Sequence, residues 1–121
     1  MPTTLLFVYG TLKRGGRANR LLAGARFVGP AVTEPRYRLV DLGSYPGLVD
    51  AADGVAVAGE LYEVAVADLP PLDEFELAPD LYERRPVTLS GAAGPAEAYF
   101  YNKPVPPAAR SGAAWPFPPA G

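Results

Sequence analysis

Residues 4–16 read TLLFVYGTLKRGG and join a short apolar run to a loop that contains glycine. In residues 4–9 apolar side chains fall on both alternating faces, which predicts a central strand buried on both sides. The run ends abruptly at Gly10, and the loop leads toward a predicted helix. Such a loop can direct several backbone N–H groups at one anion or developing oxyanion. The alternative is a strand followed by an exposed turn.

The basic residues of this loop do not form a nucleotide-binding P-loop, because no Gly-Lys pair is followed by serine or threonine. Lys13, Arg14, Arg17 and Arg20 nevertheless place four of the 11 basic residues of the chain within eight positions. The cluster could hold an anionic substrate or a phosphate backbone. Because the chain is acidic and has no known nucleic-acid motif, a solvated helix face is the favoured interpretation.

The remaining sequence predicts short strands and two short helices. Strands are predicted at residues 25–32, 36–42, 87–89 and 96–101, with a long bent strand at 55–66 that Gly59 interrupts. Helical turns are predicted at residues 17–22 and between Asp68 and about Ala78-Pro79, and a turn at 44–47. The predicted fold class is α+β, a small mixed β-barrel or strongly bent sheet of about six strands. We expect one domain over residues 1–121, with an irregular proline-rich tail from about residue 102.

The composition restricts the class and location of the protein. A length of 121 residues with 49% apolar and 20% charged residues is typical of one globular domain. No segment approaches the ~20 apolar residues of a membrane span. Because the chain has no cysteine and no secretory pattern at its start, we expect a cytoplasmic protein without membrane association. The net charge of -2 argues against bulk binding of nucleic acid.

The absence of histidine and cysteine narrows the candidate catalytic groups. It removes the imidazole base of serine triads, the thiolate nucleophile and the ordinary protein ligands of zinc. An acid or base must then be a carboxylate, a lysine or a tyrosine, unless a cofactor brings the reactivity.

Among the carboxylates of the acidic stretch at residues 68–83, one has an unusual predicted position. On a helix, Glu76 lies about 40° from Leu72 and inside the apolar arc, whereas Glu74 points to the other side. A carboxylate on an apolar face is partly desolvated, which raises its pKa toward the range of a general base near neutral pH. The alternative is that the short helix frays after Phe75 and leaves Glu76 in water.

Three blocks in order along the chain resemble the γ-glutamylcyclotransferase-like family, and most closely its γ-glutamylamine cyclotransferase branch. They are VYGTLKRG at residues 8–15, GELY at residues 59–62 and LDEFE at residues 72–76, the last followed by Pro79, Leu81-Tyr82 and Arg84. The first and third blocks are jointly specific. The resemblance runs from about Leu5 to Tyr101, and the proline-rich tail lies outside it.

The resemblance implies a compact mixed β-barrel with the substrate-binding loop residues Tyr9, Gly10, Thr11 and Leu12 on one side of a pocket and a catalytic Glu76 on the other. It implies that Glu76 takes a proton from the α-ammonium group of a γ-glutamyl substrate. The freed amine then attacks its own γ-carbonyl, and 5-oxoproline forms as the departing amine is protonated. The implied partner is a small-molecule γ-glutamyl compound, with no metal or organic cofactor. We further expect a monomer or weak dimer.

Two departures from the family pattern concern the substrate. Leu77-Ala78 replaces the small residues that often follow the glutamate in the amine branch, at the expected pocket mouth. The loop reads Gly-Thr-Leu, whereas the family branch that acts on the glutathione-derived dipeptide has Gly-Ser-Asn there. This difference favours γ-glutamyl amines over γ-glutamyl amino acids as substrates. Two other classes stay open: a non-catalytic module of the same fold that binds a small ligand or a protein, and a weak nucleic-acid binder that uses the basic cluster.

Overall fold

The structure is a computed structural model that describes residues 2–91 and 95–117. Within those residues there are eight strands, β1 (Thr3–Val8), β2 (Arg26–Val32), β3 (Tyr37–Asp41), β4 (Pro46–Asp50), β5 (Ala58–Ala65), β6 (Tyr82–Val87), β7 (Ala96–Tyr101) and β8 (Ser111–Gly112). They are joined by one α-helix, α1 (Leu69–Phe75), and by 3-10 helices at Asn19–Leu22 and Val66–Asp68. No helix in this part of the chain is long and apolar enough to cross a bilayer.

The eight strands form one mixed sheet in the order β2-β5-β1-β7-β4-β3-β8, with β6 on the other edge of β7. β1 pairs antiparallel with β5 and parallel with the start of β7, where Leu5 lies opposite Ala96. β4 is also parallel to β7, but further along, where Leu48 lies opposite Phe100. β1 and β4 therefore follow each other along the same edge of β7, and the sheet has a gap between them after Val8.

The buried side chains of β1 divide between two apolar clusters. Leu6 and Val8 join a cluster that includes Leu72 of α1. Phe7 joins a second cluster with side chains of β3 and β4. Because neighbouring side chains of a strand point to opposite faces, the two clusters lie on the two sides of β1. The predicted central strand, buried on both faces, is confirmed.

The α+β class and the strongly bent mixed sheet are confirmed, but eight strands are present instead of about six. β4 includes Pro46 and Gly47, which were predicted as a turn because both residues favour turns. In the structure both are buried in the sheet opposite β3. β6 begins at Tyr82 rather than at residue 87, because its central residues are charged and give no apolar alternation. Of the two predicted helices, α1 is confirmed and the other is a 3-10 helix.

The proline-rich segment after residue 102 is attached to the sheet at several points. β8, which lies within it and was not predicted, pairs with β3. The N–H of Ala58 donates to the carbonyl of Ala113 (2.8 Å), and the ammonium of Lys13 donates to the carbonyl of Trp115 (2.6 Å). Trp115 and Phe117 pack against the second apolar cluster. The segment therefore ends beside the loop that follows β1.

Candidate active site

A pocket opens where β1 ends, between the loop after β1 and the C-terminal end of α1. All five residues predicted for the site line it, namely Tyr9, Gly10, Thr11, Leu12 and Glu76. Its volume is about 200 Å³. Since cavities that enclose drug-sized ligands have roughly 300–1,000 Å³, this one fits a small fragment rather than a whole peptide. The rest of its lining is largely apolar and aromatic.

The loop after β1 is held in place by its carbonyl groups. Each carbonyl of residues 10–12 accepts one hydrogen bond: the donors are, in order, the N–H groups of Lys13 and Ala18, both at 3.0 Å, and the side-chain amide of Asn19 at 2.8 Å. In the described part of the chain, by contrast, the N–H groups of residues 10–12 donate no hydrogen bond to protein atoms. Neighbouring unpaired donors of this kind bind anions and developing oxyanions.

Tyr9 and Gly10 close the gap between β1 and β4. The Tyr9 hydroxyl donates to the carbonyl of Tyr99 in β7 (2.7 Å) and accepts from the N–H of Leu48 in β4 (3.1 Å). Burial raises the pKa of Tyr9 well above its ordinary value. Gly10 approaches so closely that a Cβ atom on it would lie 2.8 Å from Cγ of Pro46. Both hydrogen bonds of the Tyr9 hydroxyl are to backbone groups, so the ring and main chain of Tyr9 are the parts that border the pocket.

Glu76 lies directly after α1, in the turn that ends the helix. The N–H of Leu77 donates to the carbonyl of Glu74 (3.1 Å), and the N–H of Ala78 donates to the carbonyl of Asp73 (2.9 Å). This pair of bonds is a Schellman motif, which satisfies the last carbonyls of a helix. The motif fixes the backbone on both sides of Glu76 and therefore the direction of its side chain.

The carboxyl group of Glu76 has the environment that the helical phase predicted. The helix does end at Phe75, but Glu76 stays half-buried in the pocket, whereas Glu74 is exposed. Burial raises the pKa of Glu76 from 4.5 to about 7. None of the ion pairs among residues 2–91 and 95–117 includes it. A carboxyl group of this kind can exchange a proton near neutral pH, as a general acid–base group must.

Substitutions of Leu77, the left-handed residue of the Schellman motif, test the motif directly. The Leu77 φ of 55° lies in the left-handed region, and the residue is 59% exposed. Because this conformation costs about 1–2 kcal/mol for a residue with a Cβ, we expect Leu77→Gly to raise the free energy of unfolding by up to ~1 kcal/mol, after the larger entropy of unfolded glycine is subtracted. Leu77→Ala, which keeps the Cβ, is the matched control. Urea denaturation that finds the glycine variant less stable than the alanine variant would contradict this account.

Tyr82 and Tyr99 form pocket walls that the sequence reasoning did not identify as site residues. The Tyr82 hydroxyl donates to the carbonyl of Pro46, and the Tyr99 hydroxyl donates to Asp73, both at 2.7 Å. Burial raises the pKa of both tyrosines, so they stay neutral. The block Leu81-Tyr82 carried a signal through the family resemblance, but no periodic pattern pointed Tyr99 to the site.

Asp73 has the opposite electrostatic character to Glu76. It accepts two hydrogen bonds from Arg84 (2.9 and 3.2 Å) in addition to that from Tyr99, while Arg84 also donates to Glu97 (2.9 Å). Burial opposes its ionisation, but the bonds from Arg84 and Tyr99 and the charge of Arg84 hold the pKa of Asp73 below its ordinary value. Asp73 therefore stays ionised and has a structural role, because it bonds to Arg84 and to the pocket wall at Tyr99. Nowhere in the described ranges do three or more acidic side chains converge as metal ligands would.

A family model described as "Gamma-glutamyl cyclotransferase, AIG2-like" matches residues 6–116. The chain belongs to this AIG2-like family. The family match extends beyond Tyr101 and takes in most of the proline-rich segment, which the resemblance had left out. A solved structure of an AIG2-like protein from Mus musculus is similar, with a TM-score of 0.79 and 30% identity over 88% of this chain and 82% of that one.

Two curated relatives connect this AIG2-like chain with the γ-glutamylamine branch. It is 42% identical to a gamma-glutamylaminecyclotransferase of Bos taurus over 107 residues, which cover 80% of this chain and 64% of that protein. It is 37% identical to the protein of the same name from Rattus norvegicus over 105 residues, which cover 76% and 70%. The match therefore spans just under two-thirds of the bovine protein. The predicted resemblance to the family and to this branch is confirmed.

Proposed function

We propose that the protein is a γ-glutamyl cyclotransferase that releases 5-oxoproline and a free amine. The observation that carries the proposal is a carboxyl group with a pKa of about 7, Glu76, in the same pocket as the unpaired N–H groups of residues 10–12. The first supplies proton transfer and the second supplies stabilisation of negative charge. Ring closure by acyl transfer needs both, and the names of the bovine and rat relatives support the same reaction class.

In the proposed reaction Glu76 first takes a proton from the α-ammonium group of the substrate. The freed α-nitrogen attacks the γ-carbonyl carbon of the same glutamyl unit, and a five-membered ring forms through the new carbon–nitrogen bond. The N–H groups of residues 10–12 hold the oxyanion that develops on the carbonyl oxygen. When this oxyanion collapses, the amide bond to the leaving amine breaks and Glu76 returns its proton to that amine. The second proton, which the ring nitrogen loses as it becomes the lactam N–H, passes through the Glu76 carboxylate to the released amine, which leaves as an ammonium ion. The step consumes no water and needs no further reactant.

The small pocket contributes by holding the glutamyl chain folded. Nucleophile and electrophile belong to one molecule, so a pocket that fixes their approach supplies much of the acceleration. The aromatic walls, including Tyr82 and Tyr99, lower the polarity around the reacting atoms and so strengthen the electrostatic interactions there. A γ-glutamyl amine suits this site, because recognition of the glutamyl part leaves the amine part outside the pocket.

One assay tests the proposal. Purified protein is incubated with γ-glutamyl-ε-lysine, with γ-glutamyl amino acids and with γ-glutamyl alkylamines, and the release of 5-oxoproline is measured. We expect release from at least one of the γ-glutamyl amines. The alternative, a non-catalytic binding module, predicts that these compounds bind without forming 5-oxoproline, and that result would defeat the proposal.

The pH dependence of kcat/KM provides a second measurement. Because the reactive form of Glu76 is the carboxylate and its pKa is about 7, we expect kcat/KM to rise with pH up to about that value. An acidic limb near pH 4 to 5, the range of an ordinary glutamate, would remove Glu76 from this role.

A further inference from the structure

A second cleft adjoins the pocket and shares residues with it. Its volume is about 390 Å³, and Gly10, Thr11 and Arg17 line both cavities. The other walls of the cleft come from residues 13–16, from Ser44 and from the end of the proline-rich segment at Trp115 and Pro116. Because Gly10 and Thr11 line both cavities, a ligand whose reacting carbonyl lies beside these two residues can extend into both.

The side chains that line the second cleft carry net positive charge, and the Glu60 carboxylate, which accepts a hydrogen bond from the backbone N–H of Arg14 (2.7 Å), offsets part of it. The lining of the cleft includes Lys13, Arg14 and Arg17, and it contains no aspartate or glutamate. Among the described residues, none of these three cations takes part in an ion pair. On a chain whose net charge is -2, such a cleft concentrates positive potential at one place and favours an anion there.

The three cations differ in their other contacts. The ammonium of Lys13 donates to the carbonyl of Trp115 at 2.6 Å. The guanidinium of Arg14 lies 4.6 Å from the ring centre of Phe27, a cation–π contact. The Arg17 guanidinium makes one long hydrogen bond, 3.3 Å to the carbonyl of Ser44, so most of its five donors are uncommitted. Arg17 is therefore the cation that is both available and placed where the two cavities join.

We infer that the second cleft binds the leaving-amine part of the substrate and that Arg17 selects leaving amines that carry a carboxylate several bonds from the amide nitrogen. This inference rests on the proposed function, with the γ-glutamyl group in the first pocket. When the γ-carbonyl lies beside residues 10–12, the amide nitrogen lies at the junction of the cavities, and the leaving group continues toward Arg17. A guanidinium can hold a carboxylate through two parallel hydrogen bonds.

Three substrates with the same four-carbon leaving group test the inference. They are γ-glutamyl-4-aminobutanoate, γ-glutamyl-butylamine and γ-glutamyl-1,4-diaminobutane, whose leaving groups carry an anion, no charge and a cation. We expect kcat/KM for 5-oxoproline release to fall in that order, with about a tenfold preference for the anion over the neutral group. In Arg17→Gln the ratio of anionic to neutral kcat/KM should approach one. In Arg17→Glu the cationic leaving group should become the best of the three.

The matched control is Arg36→Gln, which removes the same charge from an exposed arginine outside both cavities. It should keep the parent ratio, and thermal melting should show that all variants are folded. Equal kcat/KM for the three substrates in the parent would overturn the inference and leave the proposed function standing. Equal loss of preference in Arg17→Gln and Arg36→Gln would overturn the role of Arg17. No 5-oxoproline from any of the three would defeat the proposed function and the inference together.

Discussion

Glu76→Gln is expected to lower 5-oxoproline release by about 10²- to 10⁴-fold, the range that general acid–base catalysis supplies. The amide has nearly the same size and shape as the carboxyl group, but it cannot take a proton from the α-ammonium group or return one to the leaving amine. The Schellman motif that positions residue 76 uses backbone atoms of neighbouring residues, so the substitution leaves it intact. Initial rates of 5-oxoproline release measure the effect.

The stability of Glu76→Gln should depend on pH in a defined direction. Burial raises the pKa of Glu76 from 4.5 to about 7, so the folded chain binds this proton more tightly than the unfolded chain does. The carboxyl group therefore stabilises the fold fully below about pH 4.5, and this contribution is lost as the pH rises through about 7. Glutamine does not titrate. The free energy of unfolding of the variant should then exceed that of the parent above pH 7, and the difference should shrink toward pH 4.

Glu74→Gln is the matched control, because Glu74 lies only two residues earlier, in the last turn of α1, but is exposed. It should keep the parent rate and the parent dependence of stability on pH. If Glu76→Gln retains near-parent turnover, or if Glu74→Gln is the inactive variant, Glu76 is not the proton-transfer group. If both variants are active and both are as stable as the parent at every pH, Glu76 is not desolvated in the folded protein.

Tyr9→Phe is expected to reduce the free energy of unfolding by about 2–4 kcal/mol, because it leaves two buried backbone groups without their partner. The Tyr9 hydroxyl is bonded to the carbonyl of Tyr99 and to the N–H of Leu48, and it joins β4 and β7 at the point where β1 has ended. Phenylalanine fills the same space without either bond. Urea denaturation of the parent and the variant measures the difference.

Tyr82→Phe provides the comparison for Tyr9→Phe. Its hydroxyl makes one backbone bond, to the carbonyl of Pro46 (2.7 Å), and both residues border the pocket, which water can enter. The expected loss is about 1 kcal/mol, the usual net contribution of one hydrogen bond. A Tyr9→Phe variant within 0.5 kcal/mol of the parent, a difference no larger than typical surface substitutions produce, would show that the hydroxyl does not hold the sheet together.

The features that could be predicted are those that depend on a sequence pattern within a few neighbouring residues. The apolar run of β1 and the phase of Glu76 each depend on a few neighbouring residues, and both expectations agree with the structure. β4 escaped prediction because Pro46 and Gly47 favour turns locally, whereas pairing with β3 and β7 makes them part of a buried strand. Tyr99 was missed for a related reason, since its wall position depends on contacts with Asp73 in a distant element.

Arg17 shows a different limit of sequence reasoning. A run of basic residues is most often a solvated face, and the spacing of Lys13, Arg14 and Arg17 does not reveal which of them has free donors. That distinction depends on Trp115 and Phe27, which the fold brings to the loop from remote parts of the chain. The charge of the second cleft was visible in the sequence, but its location beside the pocket was not.

The bridge between Tyr9 and Tyr99 also has a kinetic consequence, because it joins residues that are 90 positions apart. Contacts of such long range form late, since the entropy of closing a large loop must be overcome before they contribute. During refolding, the pocket should therefore not exist until β7 has docked between β1 and β6. By the same reasoning, a nascent chain should have no complete pocket until β7 has left the ribosome and docked in the sheet.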